Sequence, residues 1–359
     1  MGRKTEIRDA FRTSFGKPDD LCYNTSTIWR EGEQMKEVLV LVPCRERHRK
    51  QLQQMGACRI VFGEDLSPEQ RAQAISRADA IVGEPEIAEI QTADKLSWIQ
   101  MTWAGTDKYT RVSGFPREIA LTTASGAFGA VIAEYVFGGI LSLYRRFPAY
   151  REQQKQHLWR DCGSERTIEG SRVLILGAGD IGESLAVRFR AFGARVIGIR
   201  RSAGQCPDCF DAMYPLAQLG ELLGTADIVV GCLPNTPETR HLLGARELRR
   251  MKPDAVLVNV GRGSLIRTDE LAEVLQEGHL LGAVLDVTEP EPLPENHPLW
   301  EMENVILTPH IAGPSLNHAP QTEDKIFSIC CDNLRRWLAG EPLRNQVDWE
   351  RGYRRDSAD

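Results

Sequence analysis

The chain has 359 residues, 42% hydrophobic and 26% charged, the composition of an ordinary globular protein long enough for two domains. Its net charge of −6 argues against a nucleic-acid partner, since phosphate binding needs a basic surface. No run approaches the roughly 20 apolar residues of a membrane span, and the polar start MGRKTEIRD lacks a signal-peptide core, so no membrane contact is expected and localisation reads as cytoplasmic.

Residues 1–36 show no sustained periodicity and read as an extension. From Glu37 onward, short strand-like runs follow one another: EVLVLVP at 37–43, RIVFG at 59–63, AIVGE at 80–84, WIQMTW at 98–103 and IALTTA at 119–124. Helix-like segments lie between the earlier runs, such as SPEQRAQAISRA at 67–78 with a capping serine and a first-turn proline. Strands alternating with helices predict a parallel sheet covered on both faces. Residues 125–147 then place Phe128, Ile132, Val136, Ile140 and Leu143 at helical spacing. With Tyr135 and Gly139 also on it, this helix is apolar on more than one side, as suits burial between domains or subunits, or a plain core helix. Polar sequence at 145–156 leads on to Trp159.

The stretch VLILGAGDIG at 173–182 runs a buried strand into Gly177, Gly179 and Gly182, with a helix-like sequence at 183–192. This is the strand, turn and helix of a dinucleotide-binding unit: one glycine for the tight turn, one for close approach of a pyrophosphate, one for helix packing. The helix start offers free N–H groups to phosphate oxygens, which marks Gly177, Gly179, Asp180, Ile181 and Gly182 as cofactor-binding. Further strands are predicted at 194–200, 227–234, 255–261, 281–287 and 304–310, with helices at 268–278 and 324–339. Nine cysteines at irregular spacing read as reduced thiols. Cys206 and Cys209 alone have metal or redox spacing; with no second ligand pair they read as a surface loop, and no metal is expected.

In such sheets, ligands sit beyond the carboxyl ends of strands. There the sequence places Arg262, Asp286, Glu289, Glu291 and His310. Arginine grips carboxylates bidentately, and a histidine beside a carboxylate holds and exchanges a proton near neutral pH. NVGRGSLI at 259–266, LDVTEPEPLPENHPLW at 285–300 and NVILTPHIAG at 304–313, in this order behind GAGDIG, resemble the signatures of the D-isomer-specific 2-hydroxyacid dehydrogenases. CLPNTPETRHLL at 232–243, the helix at 125–141 and WIQMTWAGTDKY at 98–109 extend the resemblance over about 37–343.

The resemblance implies an α/β fold of two doubly wound parallel-sheet domains. A flavodoxin-like substrate domain would comprise 37–124 and 315–359, and a Rossmann dinucleotide-binding domain 125–314, with hinges near Ala124 and Pro314. It implies that Arg262 binds the substrate carboxylate and carbonyl oxygen, that His310 protonates the carbonyl oxygen, and that Glu291 rather than Glu289 pairs with His310 and favours its cation. Backbone at Ala104, Gly105 and Thr106 would hold the substrate carboxylate from the first domain. Asp286 would bond the nicotinamide carboxamide, and Leu233, Pro234, Thr236, Val260 and Gly261 would line the cofactor cleft. Trp103 and Trp300 either narrow the substrate pocket, stack on an aromatic keto acid, or simply pack.

One position departs from the usual pattern. The strand after the glycine turn ordinarily ends in an acid for the adenosine ribose 2′-OH. Here Arg200 stands there, followed by Arg201 and Ser202. A guanidinium binds a 2′-phosphate that a carboxylate would repel, so NADP(H) is the expected cofactor, with NAD(H) possible. The expected activity is reduction of small 2-keto acids to D-2-hydroxy acids by a homodimer. Glu291 argues against formate oxidation, since relatives with that activity carry Gln opposite the histidine. A phosphoglycerate dehydrogenase without an appended regulatory domain, and a cofactor-sensing corepressor-like protein, stay open as alternatives.

Overall fold

The computed structural model describes residues 35–201, 205–314 and 316–354. The N-terminal extension except for Met35 and Lys36, and the predicted cofactor residue Ser202, lie outside the described residues.

Five short strands, β1 (Glu37–Val40), β2 (Arg59–Phe62), β3 (Ala80–Val82), β4 (Trp98–Gln100) and β5 (Ala120–Thr122), pair in parallel in the order β2-β1-β3-β4-β5. This is the flavodoxin-like order. Their crossovers carry α1 (Glu46–Gln53), α2 (Pro68–Arg77) and the single turns α3 (Ile87–Ile90) and α4 (Asp107–Thr110). The start of α2 follows from its sequence: the Gln70 N–H donates to the Ser67 hydroxyl, the Ser67 N–H donates to the Gln70 side chain, and Pro68 opens the first turn.

After α5 (Gly129–Tyr144) and α6 (Phe147–Lys155) comes a second parallel sheet. Its strands are β6 (Arg172–Leu176), β7 (Arg195–Arg200), β8 (Ala212–Pro215), β9 (Ile228–Gly231), β10 (Val256–Asn259), β11 (Gly282–Leu285) and β12 (Val305–Leu307). They lie in the order β12-β11-β10-β9-β6-β7-β8, the Rossmann order with a seventh strand at one edge. The helices α7 (Asp180–Ala191), α8 (Leu219–Leu222), α9 (Ala245–Leu248) and α10 (Thr268–Gln276) connect them. The long α11 (Pro320–Ala339) returns to pack on α1 and β4, and the last described residues form a small antiparallel hairpin, β13 (Val347–Asp348) with β14 (Tyr353–Arg354). Among the described residues no helix is long and apolar enough to cross a membrane.

Burial on both faces explains why these strands are apolar throughout. In β6, Val173 and Ile175 enter one core while Leu174 and Leu176 enter another on the opposite face. The first of these cores is shared by both sheets: it runs from Val38 and Trp98 through Ala124, Ala127, Phe128 and α5 to Val284. Helix α5 therefore joins the two halves, packing on α7 and β11.

Several boundaries differ from the sequence reading. Helix α7 begins at Asp180 rather than 183, because the residues after the turn are already helical, and α11 begins at Pro320 because proline suits a first turn. The polar stretch at 145–156 contains helix α6, which buries no residue and so carries no apolar periodicity to read. Strand β8 was not predicted; each of its residues is only half-buried and it closes one edge of the sheet.

Gly139 and its neighbour Gly138 separate packing from propensity on α5. A Cβ on Gly139 would lie 2.6 Å from Cγ1 of Val284, whereas one on Gly138 would meet nothing within 4 Å. We expect Gly139→Ala to destabilise the fold by about 1–3 kcal/mol through overpacking, and Gly138→Ala to stabilise it by up to about 1 kcal/mol through lower chain entropy. Urea denaturation of both variants is the check; equal shifts would refute this packing of α5 on β11.

Candidate active site

The carboxyl ends of the strands in the second sheet converge on one cleft. At the end of β6, Gly177 has a φ of +110° and a Cβ there would touch the Cys232 carbonyl at 3.0 Å; a Cβ on Gly182 would lie 2.0 Å from the Gly177 carbonyl. Only glycine fits either place. Gly179, by contrast, has open space where its Cβ would be, and α7 begins there with no side-chain cap. Space and unpaired N–H donors at Asp180 and Ile181 fit a pyrophosphate. The Asp180 carboxylate itself accepts from the Gly126 N–H at 3.2 Å, tying the turn to the start of the linking helix. Leu233 and Gly261 form the next part of the wall in close contact: a Cβ on Gly261 would sit 2.8 Å from the Leu233 carbonyl. Val260 is buried beside them, Pro234 is exposed, and Thr236 donates its N–H to the Thr239 hydroxyl. Asn235 adds a buried amide oxygen that has no hydrogen-bond partner among the described residues.

Arg262, Asp286 and His310 follow β10, β11 and β12, three adjacent strands. His310 Nδ1 lies 2.7 Å from Glu291 Oε1. Glu289 is elsewhere, bonded to His241 Nε2 at 2.5 Å and to Arg240 at 2.8 Å. The two acids two residues apart thus have separate partners. His310 adopts a left-handed backbone, with φ of +55°, and its N–H donates to the Asp286 carbonyl at 2.8 Å. The buried Asp286 carboxylate accepts from the Ile311 and Ala312 N–H groups, at 2.8 and 2.9 Å, and from the Thr308 hydroxyl at 2.7 Å. Because Thr308 spends its one proton on Asp286, the Tyr135 hydroxyl, 2.6 Å away, is the donor to Thr308. Burial pushes the Tyr135 phenol up to about 12, so it keeps that proton.

The first sheet supplies the facing wall through the loop after β4. A Cβ on Gly105 would lie 1.9 Å from Arg262 Nη2, so the guanidinium rests directly on the loop backbone. Arg262 Nε donates to Asp107 Oδ2 at 2.7 Å, Arg111 Nε donates to Asp107 Oδ1 at 2.9 Å, and Arg111 Nη2 reaches the Asn235 carbonyl of the opposite wall. Ala104 is half-buried, Thr106 is buried, and Trp103 is 43% exposed, so Trp103 is not a core packing residue. Beneath the loop, Glu84 accepts from the Thr102 N–H at 2.5 Å and its hydroxyl at 3.0 Å. Burial raises the Glu84 pKa, outweighing the opposing bonds from Thr102 and Trp103 and the charge of Lys108.

Beside the His310–Glu291 pair lies a cavity of about 520 Å³, lined by Pro292, Leu293, Trp300, Leu307 and Thr308 among others. The Trp300 ring is half exposed and its Nε1 donates to the Pro294 carbonyl at 2.9 Å. At the far end of the cleft, Arg200 closes β7 with Nη1 donating to the Gln205 carbonyl at 3.3 Å, and Arg201 is exposed. The roles of Asp107, Glu84, Thr308 and Tyr135 escaped the sequence reading. All four lay inside quoted stretches (98–109, 80–84, 304–313 and 125–141), but no local pattern pairs Glu84 or Tyr135 with partners 18 and 173 positions away.

A family profile described as D-isomer specific 2-hydroxyacid dehydrogenase, NAD binding domain, matches residues 137–312. The chain is 31% identical over 302 residues to a glyoxylate reductase of Korarchaeum cryptofilum, covering 80% of this chain and 89% of the relative. Among solved structures it is similar to a D-isomer specific 2-hydroxyacid dehydrogenase family protein of Aeromonas salmonicida, at 37% identity, TM-score 0.78, and 88% and 100% coverage of the two chains. It is similar also to an NADPH-dependent glyoxylate/hydroxypyruvate reductase of Sinorhizobium meliloti, solved with NADP and sulfate, at 28% identity, TM-score 0.75, and 89% and 100% coverage.

The loop after β4 carries a pH signature. Glu84 has a higher pKa folded than unfolded, so the native state holds the extra proton between those two values and stability falls as pH rises through that window. Glu84→Gln has no proton to lose. We expect the stability difference between variant and wild type to move in favour of the variant as pH rises from about 4, the ordinary glutamate range. Denaturation midpoints from pH 4 upward test this, and a difference constant with pH would refute it.

Proposed function

Since this chain belongs to the D-isomer specific 2-hydroxyacid dehydrogenase family and is an NAD(P)-dependent oxidoreductase, we propose that it reduces small 2-keto acids to D-2-hydroxy acids, with NADP(H) preferred over NAD(H). The observation that carries this reading is the 2.7 Å contact between His310 Nδ1 and Glu291, on the same cleft as an arginine held by the facing wall. With Nδ1 taken by Glu291, Nε2 is the atom left to give a proton to the carbonyl oxygen. Arg262 holds the substrate carboxylate and carbonyl oxygen, and the backbone at Ala104, Gly105 and Thr106 closes over the carboxylate. When bound in this cleft, the nicotinamide would supply the hydride for the carbonyl carbon. Asp286 shapes the turn that aims His310 and has one lone-pair site left, on Oδ2, for the carboxamide, while Leu233, Pro234, Thr236, Val260 and Gly261 line the cofactor.

Arg200 and Arg201, where an acid would select the free ribose hydroxyl, support NADP(H), and the Sinorhizobium relative was solved with NADP. Glyoxylate and hydroxypyruvate are the first substrates to test, after the names of the relatives. Closure between 37–124 with 315–359 and 125–314 would turn at Ala124 and Pro314 and exclude water from the reacting centre. Assembly as a homodimer is supported by the exposed Phe147, Leu158 and Trp159 that follow α5.

His310→Ala should lower kcat by about 10²- to 10⁴-fold while NADPH still binds in a fluorescence titration; retained turnover would sink its role as the acid. Arg262→Lys should raise KM for the keto acid by about tenfold or more, because lysine lacks the planar fork. A screen of NADPH and NADH oxidation across glyoxylate, hydroxypyruvate, pyruvate, branched and aromatic keto acids should give the highest kcat/KM with NADPH and a small acid. Equal or higher values with NADH would refute the cofactor preference.

A further inference from the structure

The β13–β14 hairpin lies against the cleft and touches both of its walls. Its first strand is anchored in the first half: Gln346 bridges to Thr122, Val347 is buried in the core beneath β4 and β5, and the Trp349 ring packs 4.8 Å from the Phe115 ring. The turn is built by Asp348, whose carboxylate accepts from the Glu350 and Arg351 N–H groups at 2.9 and 3.1 Å and whose carbonyl accepts from the Gly352 N–H at 2.8 Å. Gly352 takes a φ of +74°, which brings the chain back. Its carbonyl then accepts from the Thr106 hydroxyl at 2.6 Å, and from Thr110 at 3.5 Å. Thus the loop beside Arg262 is fastened to the hairpin one residue before Tyr353. Across the cleft, the Arg201 guanidinium lies over the Tyr353 ring, 5.9 Å from its centroid.

We propose that Tyr353 is a cofactor-specificity residue, forming with Arg201 the outer wall of the pocket for the ribose 2′-phosphate of NADP(H). The proposal rests on the NADP(H) reading above. A guanidinium stacked on an aromatic face keeps its N–H edges free, and those edges bind phosphate oxygens. The ring holds the otherwise exposed Arg201 in place before the anion arrives, so less side-chain entropy is lost on binding. Only a cofactor with the 2′-phosphate reads this arrangement, so the contribution falls on NADP(H) and leaves NAD(H) untouched. Because the ring comes from the first half and the arginine from the second, phosphate recognition also rewards the closed arrangement of the cleft.

The test is a fluorescence titration of the full chain with NADPH and with NADH, without substrate, for wild type, Tyr353→Ala, Tyr353→Phe, Arg201→Ala and the Arg201→Ala/Tyr353→Ala double variant. Loss of an exposed cation–π contact corresponds to about a two- to fivefold weakening of NADPH binding. We expect that loss in Tyr353→Ala, no change in Tyr353→Phe, unchanged NADH binding in both, and no added effect of Tyr353→Ala once Arg201 is gone. Thermal melts identify any variant whose hairpin has come apart, and Tyr353→Leu then stands in for it, keeping apolar bulk without the aromatic face. A wild type that prefers NADH overturns the NADP(H) reading and this proposal together. A wild type that prefers NADPH, with Tyr353→Ala weakening neither cofactor or both alike, overturns the role of Tyr353 alone.

Discussion

Because parallel strands must be covered on both faces, helices occupy the flanks of each sheet and the polar loops that remain free to gather are those at the strand ends. That constraint places the candidate site residues among the described part of the chain. Gly177 leaves β6, Arg200 ends β7, Leu233 follows β9, and Arg262, Asp286 and His310 follow β10, β11 and β12. The first sheet obeys the same rule, and its loop after β4 carries Gly105 and Asp107 to the opposite side of the cleft. The shared apolar core through α5 then fixes how the two sets of strand ends face each other.

Charge within the cleft is balanced across the two walls. Asp107 accepts from both Arg262 and Arg111, and Arg111 continues to a carbonyl of the opposite loop. Arg262 is about 29% exposed in its side chain, so this pair is partly screened and holds orientation more than it adds stability. Gly105 belongs to the same arrangement: its missing side chain is the space the guanidinium occupies. With Nε on Asp107 and Nη1 donating to the Gly261 carbonyl at 2.8 Å, Arg262 keeps its Nη2 N–H groups for a second anion.

How much of this was legible in the sequence depends on the range of each interaction. The glycine turn and the strands of near-continuous Val, Leu and Ile are local patterns, and they predicted the α/β class with parallel sheets that the structure shows. Glu291 was favoured over Glu289 by motif spacing, and the geometry separates the two: one bonds His310, the other His241. The helix α6 (Phe147–Lys155) escaped because a helix that buries nothing has no apolar stripe, and β8 because an edge strand of half-buried residues lacks the continuous apolar run. Tyr135, Glu84 and the contact of Tyr353 with Arg201 depend on folds of the chain that bring distant positions together, and no local spacing encodes them.

The turn that carries His310 has a consequence for where such an imidazole can be built. A left-handed backbone on a residue other than glycine costs about 1–2 kcal/mol, and here Asp286 answers it with its carbonyl and both carboxylate oxygens bonded around the same turn. The acid that follows β11, the threonine that follows β12 and the histidine two residues later are therefore one transferable unit. Grafting the histidine alone onto another parallel scaffold would leave it in a backbone it does not favour, aimed by nothing. The unit that can be moved is a pair of adjacent strand ends, with the carboxylate on one and the imidazole on the other.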